Sequence, residues 1–296
     1  MTPTLVRHHG QADTATTVAP GTRARDWAEI QERMLAPLYE AVYERLEVGR
    51  GTRVLSLGCG SGLALLIAAA RGARVTGVDT DPDRLELART RLLLGPVDDT
   101  GPGGTGHRTV DGEAGRRHRL VDGDPSQAAP VDGTPYDLIT AFTPIGGSHG
   151  DDERLVAALR AAVPLATRGS TVVLTSWGPP ERCAAAPVLR VAGRGSGGRA
   201  SRGGGWRPPR RDDLEEVAFR AGLRPDGSGR VACPFGYADV ESAVRGLLST
   251  RLSDRSVRAA DRRRMEAAMA RALRPHRRGD GSVWMPNVFR YLVCTI

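Results

Sequence analysis

The sequence predicts an α/β fold, a doubly wound Rossmann-like parallel sheet. Two observations lead there. Short apolar runs rich in β-branched residues alternate with helical patterns five times. The first run breaks into a glycine-rich turn, Gly58-Cys59-Gly60-Ser61-Gly62, and the second ends at Asp79. Strand, glycine turn, helix, strand and acid, in that order, form the βαβ arrangement of a nucleotide site.

Residues 1–24 are polar and aperiodic and read as a disordered tail. From there Trp27, Ile30, Met34, Leu38, Val42 and Leu46 recur at three- and four-residue steps, so 25–50 is expected to form N-terminal cap helices, broken or kinked at Pro37. Strands are expected at 53–57 and 74–79, with a helix at 62–70 between them. Asp81-Pro82 provides a cap and a first-turn proline that open a helix to about Leu94. Seven glycines between Gly95 and His118 predict a flexible loop near 95–118. Strands at 119–121, 137–142 and 170–175, with a helix at 151–163, complete the alternation. A second flexible loop near 192–211 leads to a helix at 212–221 and a short strand at 230–233. A helical insertion near 239–285 then precedes a last strand at 288–294. One domain, 51–296, is expected to carry all of this.

The 296-residue chain is 40% hydrophobic, as a folded protein is. Its net charge of +8 arises without any lysine, and seven arginines with no acid lie between Arg190 and Arg211. That stretch reads as a solvated insert or as an attractor of an anionic acceptor. No basic platform interleaved with aromatics accompanies it, so no nucleic-acid partner is expected. Cys59, Cys183, Cys233 and Cys294 have no metal-ligand or disulfide-framework spacing, and no metal is expected. The longest apolar run, 63–70, is far shorter than a membrane span, and no signal-peptide core opens the chain. No membrane partner and a cytoplasmic location are expected.

A glycine turn after a strand lets a ligand approach backbone where a Cβ would collide, and the following helix offers unpaired N–H groups. Asp79, at the strand end beside it, is placed to accept two hydrogen bonds from a ribose diol. The dinucleotide fingerprint requires a small residue where this chain has Leu63, and a Tyr-x-x-x-Lys pair cannot occur without lysine. An NAD(P)-dependent oxidoreductase is therefore the disfavoured alternative.

From about Trp27 onward the chain resembles class I S-adenosylmethionine-dependent methyltransferases. The resemblance rests on Val54 to Gly62, Gly77-Val78-Asp79, Gly123-Asp124, Tyr136-Asp137-Leu138-Ile139 and Phe289-Arg290-Tyr291-Leu292-Val293. It implies a seven-stranded sheet with an antiparallel last strand, S-adenosyl-L-methionine as methyl donor and S-adenosyl-L-homocysteine as product. It further implies that Gly58, Cys59, Gly60 and Gly62 line the donor's methionine part and that Asp79 with Thr80 holds the ribose. Gly123 and Asp124, favoured over Asp122, would meet the adenine, and Phe142 would face donor and acceptor. Thr175 to Glu181 is similar to an actinobacterial subgroup of natural-product methyltransferases. The chain departs from the family at Ser56, where the family carries an acid that helps to hold the donor's amino group.

The implied reaction moves a methyl group in line from a sulfonium to an oxygen or nitrogen of a small natural product or peptide. A base is required only where a proton must leave the acceptor. His149, after Gly146-Gly147-Ser148, is the candidate, with a solvated loop histidine as the alternative. Candidate acceptor contacts are Trp27, Gln31, Tyr39 and Tyr43 on the cap helices and Trp177 past the fifth strand; the cap residues also fit plain core. Ser56 leaves a non-catalytic donor-binding protein as the second alternative. The acceptor atom and the oligomeric state are open.

Overall fold

The computed structural model describes residues 21–93, 118–194, 207–250 and 259–296. Residues 1–20 of the expected tail and most of both expected glycine-rich loops lie outside them. In chain order the elements are α1 (Thr22–Asp26), a π turn (Trp27–Gln31), a 3-10 turn (Glu32–Leu35), α2 (Ala36–Arg45), β1 (Arg53–Leu57), α3 (Leu63–Ala70), β2 (Arg74–Asp79) and α4 (Pro82–Leu93). There follow β3 (His118–Asp122), β4 (Tyr136–Ile145), α5 (Asp151–Ala162), β5 (Ala166–Trp177), α6 (Ala186–Arg194), α7 (Asp213–Arg220) and β6 (Arg224–Ala232). Last come β7 (Phe235–Tyr237), α8 (Val240–Ser249), α9 (Ala259–Ala272), β8 (Val283–Met285) and β9 (Val288–Thr295).

Seven strands form one sheet in the order β3-β2-β1-β4-β5-β9-β6, and β9 runs antiparallel to both its neighbours. The first five strands pair in parallel. This is the Rossmann-like methyltransferase sheet that the sequence predicts. Chain connections diverge on either side of β1 and β4, which opens a crevice at their carboxyl ends.

Strand alternation sends Val54, Leu138 and Val173 into one core layer and Leu55, Ile139 and Leu174 into the other. Helices cover both layers, which is why the central strands read as continuous apolar runs. Gly77 shows how close that cover is. A Cβ there would lie 2.5 Å from Leu65 Cδ1, 2.8 Å from Cys59 Sγ and 2.9 Å from Leu120 Cδ2. Among the described residues no helix is long and apolar enough to cross a membrane.

Several element boundaries differ from expectation. Helix begins at Thr22, inside the expected tail, and the break in the cap precedes Pro37. Proline in the first turn of α2 removes an N–H that has no helical partner, so it opens the helix instead of kinking it. The sixth strand starts six residues earlier than its 230–233 prediction, because Pro225, Gly227 and Gly229 hide its alternation. At a sheet edge, proline and the bulge between Pro225 and Gly227 are tolerated. The β7–β8 ribbon pairs three-residue strands too short to show a period, and α6 likewise escaped prediction.

Arg290 of β9 donates to both carboxylate oxygens of Glu215 on α7. These bonds hold the Glu215 carboxyl below its ordinary value. A lowered folded-state pKa gives stability that is present above the unfolded value, about 4.3, and is lost as pH falls through the folded one. Arg290→Met should therefore flatten the loss of melting temperature between about pH 5 and pH 3, and its effect at neutral pH should stay near 1 kcal/mol or less because the pair is partly exposed. Gly77→Ala should lower stability by about 1–3 kcal/mol, read as a shift of the urea midpoint.

Candidate functional site

The glycine turn is held from beneath by Asp79. This carboxylate is 2% exposed and accepts hydrogen bonds from Gly60 N at 2.9 Å and Asp81 N at 3.0 Å. Each carboxylate oxygen has more than one acceptor site. Gly58 adopts φ 65°, and a Cβ there would stand 2.8 Å from Thr143 Oγ1. The close approach of β4 thus requires glycine.

A cavity of about 340 Å³ runs along the strand ends. Asp79, Thr80, Gly123 and Pro125 line one end; Trp177, Phe235 and Phe289 line the other. Trp27, Gln31 and Leu35 cover it, and Gly58, Thr143 and Ile145 lie between the two ends. The centroids of the Trp177 and Phe289 rings lie 4.6 Å apart, with the rings tilted by 42°. A larger hollow of about 530 Å³ lies between α1, α8 and α9, away from the strand ends and the glycine turn.

The structure brings Gly58, Asp79, Thr80, Gly123, Trp27, Gln31 and Trp177 around this one cavity. The neighbouring Asp124 is exposed, and its carboxylate accepts from Ser126 N at 2.8 Å, capping a short 3-10 turn. These bonds lower its pKa. Gly60 faces the N-terminal turns, Gly62 packs on Ala88 of α4, and the Cys59 side chain is buried in the core. His149 is exposed beside Ser148; Ser148 lines the cavity and His149 does not.

Phe142 is a correction. Alternation along β4 turns Ala141 and Thr143 to the cavity and Phe142 away, into the core. There its ring lies 4.8 Å from that of Tyr39 and 5.5 Å from that of Tyr43. Tyr39 and Tyr43, expected as acceptor contacts or core, are core, and burial raises the pKa of both phenols.

Other site residues were not foreseen. Arg84 is 4% exposed, donates to Ser249 O at 2.7 Å and stacks 4.5 Å over the Trp27 ring. Asp151 clamps the loop after β4. Its Oδ2 accepts from Gly146 N, Gly147 N and Ser148 N at 2.8, 3.1 and 3.0 Å, and its Oδ1 accepts from Arg207 at 2.9 Å. Arg207 also donates to Asp213 at 2.7 Å. Burial opposes its charge, but Asp213 and Asp151 outweigh that effect and raise its pKa. This arginine of the expected solvated insert is therefore engaged internally. The Ser148-x-x-Asp151 spacing, that of a helix cap, was the available signal. Arg207→Met should lower stability by about 2 kcal/mol in denaturant titration, because it removes the cation shared by Asp151 and Asp213 while their backbone donors remain.

These residues fit S-adenosylmethionine. A buried carboxylate at a strand end suits the ribose diol, a cradle at Gly58 suits close backbone approach, and the buried Trp27 indole N–H lacks an acceptor among the described residues. A model of the methyltransferase domain family matches residues 23–224. Among solved structures, an S-adenosylmethionine-dependent methyltransferase from Thiobacillus denitrificans in complex with S-adenosyl-L-homocysteine is similar, with TM-score 0.51 and 13% identity over 93% of this chain and 98% of that one. The [4+2]-cyclase SpnF also has TM-score 0.51, with 16% identity over 87% of this chain and 80% of that one. These similarities concern the fold.

Methyltransferase GfsG of Streptomyces halstedii is 41% identical over 73 residues, 24% of this chain and 25% of GfsG. An uncharacterised protein of Mycobacterium tuberculosis is 39% identical over 79 residues, 25% of this chain and 29% of that protein. The chain thus spans under a third of the length of these curated relatives. The family model, by contrast, takes in most of the chain, including the glycine turn, Asp79 and the first five strands. The chain belongs to the methyltransferase domain family.

Proposed function

We propose that the protein methylates an oxygen or nitrogen of a small, largely apolar natural product or peptide, in an actinobacterial type of secondary metabolism. The observation that carries this reading is the aromatic end of the cavity, formed by Trp177, Phe235 and Phe289, although Arg84, Asp151 and Arg154 also line the cavity. The local similarity to GfsG of Streptomyces halstedii supports the natural-product assignment. The lack of a membrane-length apolar helix among the described residues accords with a cytoplasmic setting.

S-adenosylmethionine, when bound, supplies a methyl group already activated on a sulfonium sulfur. Asp79 binds the ribose diol, and Thr80, Gly123 and Asp124 flank the adenine end. Gly58 lets the ligand rest on backbone. Trp27, Gln31 and Leu35 exclude water from above, and the aromatic end holds the acceptor in line. Alignment and desolvation then supply most of the acceleration. Where the acceptor is a hydroxyl, a proton must leave it; His149, the base expected from the sequence, is exposed next to the cavity-lining Ser148 and outside the lining itself.

Asp79→Ala should weaken S-adenosyl-L-homocysteine binding about 100-fold in calorimetry, the equivalent of losing two charge-assisted hydrogen bonds. Incubation with isotopically labelled donor and small-molecule extracts should yield a labelled product by mass spectrometry. Donor binding with persistent absence of label would instead favour the non-catalytic binder, for which the uncharged Ser56 is the supporting feature.

A further inference from the structure

Two polar atoms meet over Gly60. A Cβ built on Gly60 would lie 3.0 Å from Glu32 Oε1 and 3.0 Å from Trp27 Nε1. Glu32 is 2% exposed, and both Ser61 Oγ and Arg91 Nη1 donate to its other oxygen, Oε2. Among the described residues none donates to Oε1. The Trp27 indole N–H is buried and has no acceptor among them either. Arg84 fixes the ring from one face at 4.5 Å.

The local backbone explains why these side chains share a side. Residues five apart on an α-helix point about 140° away from each other. Here Glu32 N donates to Trp27 O, the i→i+5 bond of a π turn, which brings Trp27 and Glu32 onto one face. Single π turns are a frequent mark of functional sites. This one aims an anionic acceptor and a neutral donor at the same point of the glycine turn.

A carboxylate oxygen with no donor among the described residues, close to a buried N–H that requires an acceptor, is complementary to an α-amino acid zwitterion. The ammonium suits Glu32 Oε1 and the carboxylate suits Trp27 Nε1–H. Gly60 N is itself bound to Asp79 at 2.9 Å, so the proposed ribose anchor and this polar pair flank one residue. Ser56 lies 1% exposed on β1 opposite Gly77 and Thr140 and offers no charge.

We propose that Glu32 and Trp27 hold the α-amino and α-carboxylate groups of the donor, so that the acid comes from the N-terminal turns and not from β1. This assignment rests on the donor reading given above. It makes the site selective for nucleosides that carry an amino-acid tail.

Calorimetric titration of the full chain with S-adenosyl-L-homocysteine and with 5′-methylthioadenosine, which lacks the tail, tests it. Glu32→Gln should weaken S-adenosyl-L-homocysteine about tenfold or more and Trp27→Phe about fivefold, while 5′-methylthioadenosine changes less than about twofold. The des-amino analogue of S-adenosyl-L-homocysteine should bind the unmodified chain as weakly as the parent ligand binds Glu32→Gln, and the two losses should not add. Parallel weakening of both nucleosides, or full affinity of the unmodified chain for the des-amino analogue, would overturn the assignment. Should the unmodified chain bind 5′-methylthioadenosine and not S-adenosyl-L-homocysteine, the pair is refuted while the nucleoside site stands; should it bind neither, the donor reading falls and the assignment with it.

Discussion

The bond from Gly60 N to the Asp79 carboxylate ties the end of β2 to the turn after β1, and the site is arranged around it. Parallel neighbours in a sheet do not by themselves fix the conformation of the loops beyond their ends. Here a charged acceptor buried at one strand end takes up a backbone donor of the adjacent loop, and Cys59 N adds a second tie to Val78 O at 3.0 Å. Once the turn is pinned, α3 starts at a defined height, β4 can press Thr143 against Gly58, and the N-terminal turns have a rigid floor to cover.

Much of this was legible in the sequence because it depends on local rules. The glycine spacing and Asp79 follow from what a nucleotide requires of a βα turn, and the strand pattern from burial on two faces. What escaped depends on contacts distant in sequence. Phe142 was assigned to the cavity from its place near a strand end, yet the sense of alternation, set by pairing with β1 and β5, turns it into the core. Phe235 and Phe289 reach the cavity only because a three-residue ribbon and the last strand converge beside Trp177. Glu32 could not be singled out because helical spacing misplaces it; the π turn that redirects it is not a pattern of residue types.

The same sheet supports more than one chemistry, as its similarity to the [4+2]-cyclase SpnF shows. What is particular to this chain lies outside the sheet, in the covering turns at residues 27–35, the clamped loop at 146–148 and the aromatic end. Two of these three are fixed by carboxylates, the buried Glu32 and the partly buried Asp151, each held by an arginine and by further donors. Charge is thus used on the inside to set loop shape, in a protein whose overall balance is strongly basic.

The sheet order places β9 between β5 and β6. A strand that follows β6 in the chain therefore takes an interior position, and β6 has no partner in the sheet without it. Phe289, one residue into that strand, also closes the aromatic end of the cavity. Without β9 the five parallel strands and the glycine turn can pair, but neither of the two antiparallel ladders nor the aromatic end of the cavity can form. Docking of β9 thus completes the sheet and closes the aromatic end of the cavity in one step.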